Sequence, residues 1–185
     1  FPYTTLFRSQ ILDLGTGSGA IALAIAHECA ISKTPINLRI LGVDQSTVAI
    51  ELAHENAKAL GLNHLVEFLQ SNWYAAIPDR YLNTFDVIVS NPPYIANQDA
   101  HLTQGDLRFE PQSALTDFGS GLGCLESIIS GSNQHLKPGG LIAVEHGFDQ
   151  SKAVVGLMQA ADLRDIQTHL DLAGHHRVVS GRKRS

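Results

Sequence analysis

The sequence predicts an α/β fold: a mostly parallel, seven-stranded sheet with an antiparallel C-terminal strand and helices on both faces. Three observations carry this. Short apolar runs alternate with helix-patterned segments along the chain. Several of those runs are apolar throughout, as strands covered on both faces are. A glycine-rich turn follows the first run and an acid ends the second, the arrangement of sheets that bind ligands at their carboxyl ends.

The elements follow in order. "QILDL" (Gln10 to Leu14) is a short apolar strand, and "AIALAIAHECA" behind the glycine turn is a helix of small and aliphatic residues. "LRILGVD" (Leu38 to Asp44) is a second buried strand. "STVAIELAHENAKALG" is a helix with Ser46 as N-cap and Gly61 as C-cap. "LVEFLQ" and "TFDVIVS" supply strands three and four, and a long loop follows from Asn91 to Gly123. "CLESIISGSNQHL" is a helix, "KPGG" a turn, "LIAVEHG" the fifth strand and "DQSKAVVGLMQAAD" a helix. "RDIQTHLDL" and "HRVVSGR" close the chain as an antiparallel pair, and "GRKRS" reads as a solvated basic tail. The opening "FPYTTLFRS" shows neither period, so residues 1–9 are a leader of unclear origin and residues 10–185 form the domain.

Composition narrows the function. With 185 residues, 44% hydrophobic, the chain suits one globular domain. A net charge of −5 argues against nucleic acid as a direct substrate. Cys29 and Cys124 lie in apolar runs and read as small buried hydrophobes, which points to a reducing, cytoplasmic setting. No run of about 18 apolar residues spans a membrane. The nine histidines show no metal-site spacing, so no metal is expected.

In "LDLGTGSGA", Gly15, Gly17 and Gly19 allow a tight turn and a close ligand approach, with Thr16 and Ser18 between them. The pattern fits both a dinucleotide turn and the turn that cradles S-adenosylmethionine. Asp44, ending the second strand, is placed to accept from ribose hydroxyls. Asp13 ahead of the glycines favours S-adenosylmethionine, whose methionine end carries an amine, over a pyrophosphate that an anion would repel.

Asn91-Pro92-Pro93-Tyr94 ends the fourth strand with a rigid corner. The Asn91 carboxamide oxygen and the Pro92 carbonyl form a pair of acceptors, whose natural guest is an –NH₂ group. Tyr94 can lay its ring on a flat target.

Asn-Pro-Pro-Tyr after the fourth strand, with "LDLGTGSG" after the first, resembles the Rossmann-like class I S-adenosylmethionine-dependent methyltransferases of planar nitrogens. The longer context "VSNPPYIANQDAHLTQGDLRFEPQSAL", "GLIAVEHGFDQSKAV" and "HRVVSGR" resembles the release-factor glutamine methyltransferase family from about Ile11 to Arg182. That resemblance implies methyl transfer to the side-chain amide (N5) of the glutamine in the Gly-Gly-Gln motif of peptide-chain release factors, with S-adenosylhomocysteine as product. It implies that Gly15 to Gly19, Asp44, Asn72, Trp73 and Asn91 serve the cofactor. It gives Asn91, Pro92, Pro93 and Tyr94 to the substrate amide, with Asn91, Pro92 and Tyr94 carrying catalysis. Glu110, in "RFEP", either orients substrate or pairs with Arg108.

Two departures stand out. Asn72 occupies a position that is usually acidic in the family, so it can accept from the adenine amino group only without charge. The family also carries an N-terminal helical domain, whereas this chain starts near its first strand, and a truncated N-terminus is expected. The alternatives are an enzyme acting on adenine N6 or guanine N2 of a nucleic acid, or a docking-deficient S-adenosylmethionine-binding fragment. An NAD-dependent oxidoreductase trails, because nothing in it explains the proline corner. A monomer is expected.

Overall fold

Strand β1 (Arg8–Leu14) shows how the sheet is covered. Its side chains alternate, and both faces are apolar: Ile11 enters one core, while Leu12 and Leu14 enter the other. The computed structural model describes residues 8–32, 37–95, 116, 119 and 121–185. Within them follow α1 (Ala20–Ile31), β2 (Asn37–Asp44), α2 (Thr47–Ala59), β3 (Val66–Gln70) and β4 (Phe85–Ser90). The second half holds α3 (Gly123–His135), β5 (Leu136–Glu145), α4 (Ser151–Ala160), β6 (Arg164–Leu170) and β7 (His176–Arg182).

The strand order is β3-β2-β1-β4-β5-β7-β6. Strands β1 to β5 run parallel, and β7 inserts antiparallel between β5 and β6. Helices α1 and α2 cover one face, setting Ala22, Leu23, Ala26, Ala53 and Ala57 against Ile40, Val66 and Phe68. Helices α3 and α4 cover the other, setting Leu125, Ile128, Val154 and Met158 against Leu14, Val43, Ile88 and Val144. Chain order reverses direction between β1 and β4, so the switch point lies at their carboxyl ends.

Most expected elements form where the sequence places them. Ser46 caps α2 by accepting from Ala49 N–H. Gly61 follows the C-cap Leu60, at φ +70, where a left-handed residue closes the helix. Gly61 N–H bonds Lys58 O and Leu62 N–H bonds Ala57 O, the paired bonds of a Schellman ending.

Three details differ. Strand β1 begins at Arg8, and Arg8 and Ser9 pair with Asn37 and Leu38, so the leader's last two residues belong to the sheet. "KPGG" lies inside β5 rather than before it: between the Phe85–Leu136 and Val87–Leu141 pairs, β5 advances five residues while β4 advances two. The turn residues make a bulge and the strand resumes. The basic tail is not simply solvated, because Lys183 Nζ donates to Asn83 Oδ1, Asn133 O and Leu136 O at 2.6, 2.6 and 2.9 Å.

Two helical glycines predict opposite outcomes for one substitution. At Gly156 of α4, an added methyl meets nothing within 4 Å. At Gly131 of α3, it lands 2.5 Å from the Tyr74 ring. That ring is held by its hydroxyl bond to Ile128 O (2.7 Å) and by stacking on His135 (4.4 Å between centroids). Gly156→Ala should raise stability by about 0.5–1 kcal/mol through helix propensity. Gly131→Ala should lower it by about 1–3 kcal/mol, because overpacking outweighs propensity. Urea midpoints of the two variants check the opposite signs.

Candidate active site

The glycine turn is fixed from below by a buried carboxylate. Asp13, one residue before the end of β1, is fully buried, and its Oδ2 accepts from Thr16 Oγ1 (2.7 Å) and from Ala22 N–H (3.2 Å). Gly19, the N-cap of α1, has no side chain to cap with, so Asp13 supplies the missing acceptor to the first turn. Gly15, Gly17 and Gly19 all adopt left-handed φ, at +71, +55 and +84, so a side chain at any of them would be strained. Gly15 and Thr16 N–H both bond Val43 O at 2.9 Å, and Asn56 of α2 donates to Ser18 O at 2.9 Å. A methyl on Gly17 would meet nothing within 4 Å, so the crest of the turn faces open space.

Asp44 sits at the carboxyl end of β2, next to this turn. Its Oδ2 accepts from Gly17 N–H and its Oδ1 from Ser46 N–H, both at 2.9 Å. It joins the glycine turn to the start of α2, as the helix-start reading of an acid at that position expects. After β3, Ser71 N–H bonds Asp44 O. Ser71 Oγ then holds Trp73 O at 2.8 Å, with Trp73 at a left-handed φ of +48 that is costly for a bulky residue. The Trp73 ring lies over Gly15, 3.3 Å from where a Gly15 Cβ would stand. Asn72 beside it is exposed.

The proline corner meets the same place. Leu14 and Ser90 are paired at the ends of β1 and β4, and Ser90 Oγ donates to Leu14 O at 2.6 Å. Asn91 therefore leaves the sheet beside Gly15. It is exposed, and no hydrogen bond among the described residues engages its side chain. Pro92 is buried and Pro93 half-buried. Tyr94 is pinned: its hydroxyl lies 3.1 Å from Glu145 Oε1 and accepts from Arg177 Nη2 at 3.4 Å. Burial and the Glu145 carboxylate push its phenol pKa up. Glu110 lies outside the described residues.

Sequence reasoning brings together Gly15 to Gly19, Asp44, Trp73 and Asn91, and the structure places them at one end of the sheet. It misses Asn56, Glu145, Gln150 and Arg177 as supports. Glu145, Gln150 and Arg177 stood in quoted motifs with no role assigned. His146 is also buried there, with Nδ1 donating to Gly147 O (2.7 Å) and Nε2 without a partner among the described residues. Burial lowers its pKa. Among the described residues, no three metal-ligating side chains cluster and no helix is long and apolar enough to cross a membrane.

Sheet order, reversed β7 and glycine turn define a Rossmann-like methyltransferase domain. The chain belongs to the methyltransferase domain family, which matches residues 8–167. The release factor glutamine methyltransferase of Xylella fastidiosa (strain Temecula1) is 50% identical over 173 residues, covering 94% of this chain and 59% of that protein. The protein of that name from Bordetella pertussis is 47% identical over 174 residues, covering 93% and 60%. The chain thus spans about three-fifths of the length of these curated relatives. A methyltransferase structure from Pyrococcus furiosus shares the fold, with TM-score 0.66 and 19% identity over 98% of this chain and 79% of that one.

The family implies S-adenosylmethionine, and the residues fit it. The Gly17 crest is open, the Asp44 carboxylate lies beside it, and Asp13 Oδ1 is a buried acceptor with no partner among the described residues. Burial pushes the Asp13 carboxyl up from 3.8 to about 6, against the bonds from Thr16 and Ala22 and reinforced by Asp44. Between those two values the folded chain keeps a proton that the unfolded chain has released. Folding is therefore disfavoured as pH rises through this window, by about 3 kcal/mol in full. Asp13→Asn should remove that slope: its stability relative to wild type should climb from pH 4 to 6 and level off above. Urea midpoints across pH check it, and parallel curves would refute it.

Proposed function

We propose that this chain is the catalytic part of a protein-glutamine N5-methyltransferase acting on the Gly-Gly-Gln motif of peptide-chain release factors. The observation that carries the reading is the corner after β4: an exposed Asn91 amide beside the glycine turn, engaged by no hydrogen bond among the described residues, on a backbone locked by Ser90 and Tyr94. The names and identities of the curated relatives support the same substrate.

Asn91 Oδ1 and Pro92 O would accept both N–H groups of the substrate amide, and Pro93 would keep that pair stiff. An amide nitrogen is a poor nucleophile because its lone pair is shared with the carbonyl. The acceptor pair would stabilise positive charge growing on that nitrogen, so catalysis rests on position and electrostatics. S-adenosylmethionine, held by Gly15 to Gly19, Thr16, Ser18, Asp44, Asn72, Trp73 and Asn91, supplies the methyl when bound. The extra proton leaves the nitrogen after transfer, and no strong base is required. Tyr94 would flank the amide with its ring, and Glu110 would serve the same substrate. The protein would work in the cytoplasm as a monomer, with no nucleic acid as substrate.

Labelled S-adenosylmethionine should mark a purified release factor but not its Gln→Ala variant, duplex DNA or ribosomal RNA. Label in nucleic acid alone would overturn the reading. Asn91→Ala should lower turnover by about 10²–10³-fold, the cost of losing one preorganised partner of transition-state charge. Cofactor affinity, followed by fluorescence of Trp73, the single tryptophan, should fall far less.

A further inference from the structure

The geometry points to Gln150 as a positioning residue that holds the Asn91–Pro92 acceptor pair in place through Tyr94. Gln150 is the N-cap of α4, yet its side chain makes no cap bond to that helix. Glutamine is outside the favoured N-cap set of Ser, Thr, Asp and Asn. The side chain turns instead toward the proline corner. Its Nε2 donates to Tyr94 O at 2.9 Å and to Gly121 O at 3.3 Å, while its Oε1 accepts from Gly147 N–H at 2.8 Å.

The corner needs such a hold from outside. Pro92 and Pro93 have no N–H, so two consecutive residues cannot donate to the sheet. Ser90 fixes the entry to the corner through Leu14 O. Among the described residues the exit is fixed at Tyr94, whose hydroxyl meets Glu145 and Arg177 and whose carbonyl meets Gln150, and at Ile95, which bridges to Thr116. The hydroxyl bonds hold the end of a rotatable side chain. The Gln150 bond holds the main chain itself, three residues from Asn91. Space is reserved for it, since a methyl on Gly121 would collide with both Tyr94 O and Gln150 Nε2. A weak cap that serves a neighbouring loop is a local rule broken at a functional site.

This inference rests on the proposed amide-methylating reading, and its test separates the two. Gln150→Glu keeps the size and the acceptor for Gly147 N–H but offers no donor to Tyr94 O. Gln150→Asp adds a favoured N-cap. Neither variant should lower the urea midpoint appreciably, and Gln150→Asp should raise it. Both should lower kcat on the release factor by about 10²-fold, the scale of a misplacement near 1 Å. Cofactor affinity and KM should stay near wild type. Hydrogen exchange of the peptide covering residues 91–95 should quicken in both variants, with the rest of β4 unchanged. Unchanged exchange there would overturn the positioning role whatever the acceptor. So would wild-type kcat, or a turnover loss matched by equal losses of stability and cofactor affinity. If exchange quickens but the wild-type protein labels no release factor, the positioning role stands and the substrate reading falls.

Discussion

Much of the site depends on one buried carboxylate. Asp13 Oδ2 joins the end of β1, the Thr16 hydroxyl inside the turn and the Ala22 N–H in the first turn of α1. A glycine N-cap leaves the helix without a side-chain acceptor, and a turn of left-handed residues has little intrinsic stiffness. One oxygen answers both needs. The cost is visible in the same group: Oδ1 has no partner among the described residues, and burial raises the pKa to about 6. An ammonium group brought to the turn would favour the ionised form and offset part of that cost.

The second constraint is register. Leu14 lies opposite both Val43 and Ser90, so the ends of β1, β2 and β4 are level. The groups that follow them, Gly15, Asp44 and Asn91, then emerge side by side without further steering. This is why a sheet built for burial also assembles a site. The apolar alternation that puts Ile11 on one face and Leu12 on the other fixes the register, since a one-residue slip would reverse both faces.

The fold was legible because its signals are local. Strand and helix periods, the Ser46 cap and the Gly61 ending lie within a few residues of the structure they specify. Where the sequence misled, a tertiary contact decided. "KPGG" has turn composition, but β5 is already paired at Leu136 and resumes pairing at Leu141, so the turn becomes a bulge. Lys183 has the composition of a solvated tail, but the carbonyls of Asn133 and Leu136 and the Asn83 amide lie within its reach. Nothing in a one-dimensional pattern announces three acceptors drawn from two other segments.

The same contrast divides the site. The glycine-turn half is tied by contacts of short span, 3 residues from Asp13 to Thr16 and 27 from Gly17 to Asp44. It could be read as a motif. The proline-corner half is tied across 51 residues to Glu145, 56 to Gln150 and 83 to Arg177. Its motif, Asn91 to Tyr94, shows the rigid corner but not what supports it. Loop closure sets an order as well. The glycine turn can take shape once β1, β2 and α1 have met. Tyr94 gains Arg177 only after β7 has inserted beside β5, the step that also reverses a strand in an otherwise parallel sheet. The antiparallel strand therefore does more than close the sheet: it carries Arg177, the last brace of the proline corner.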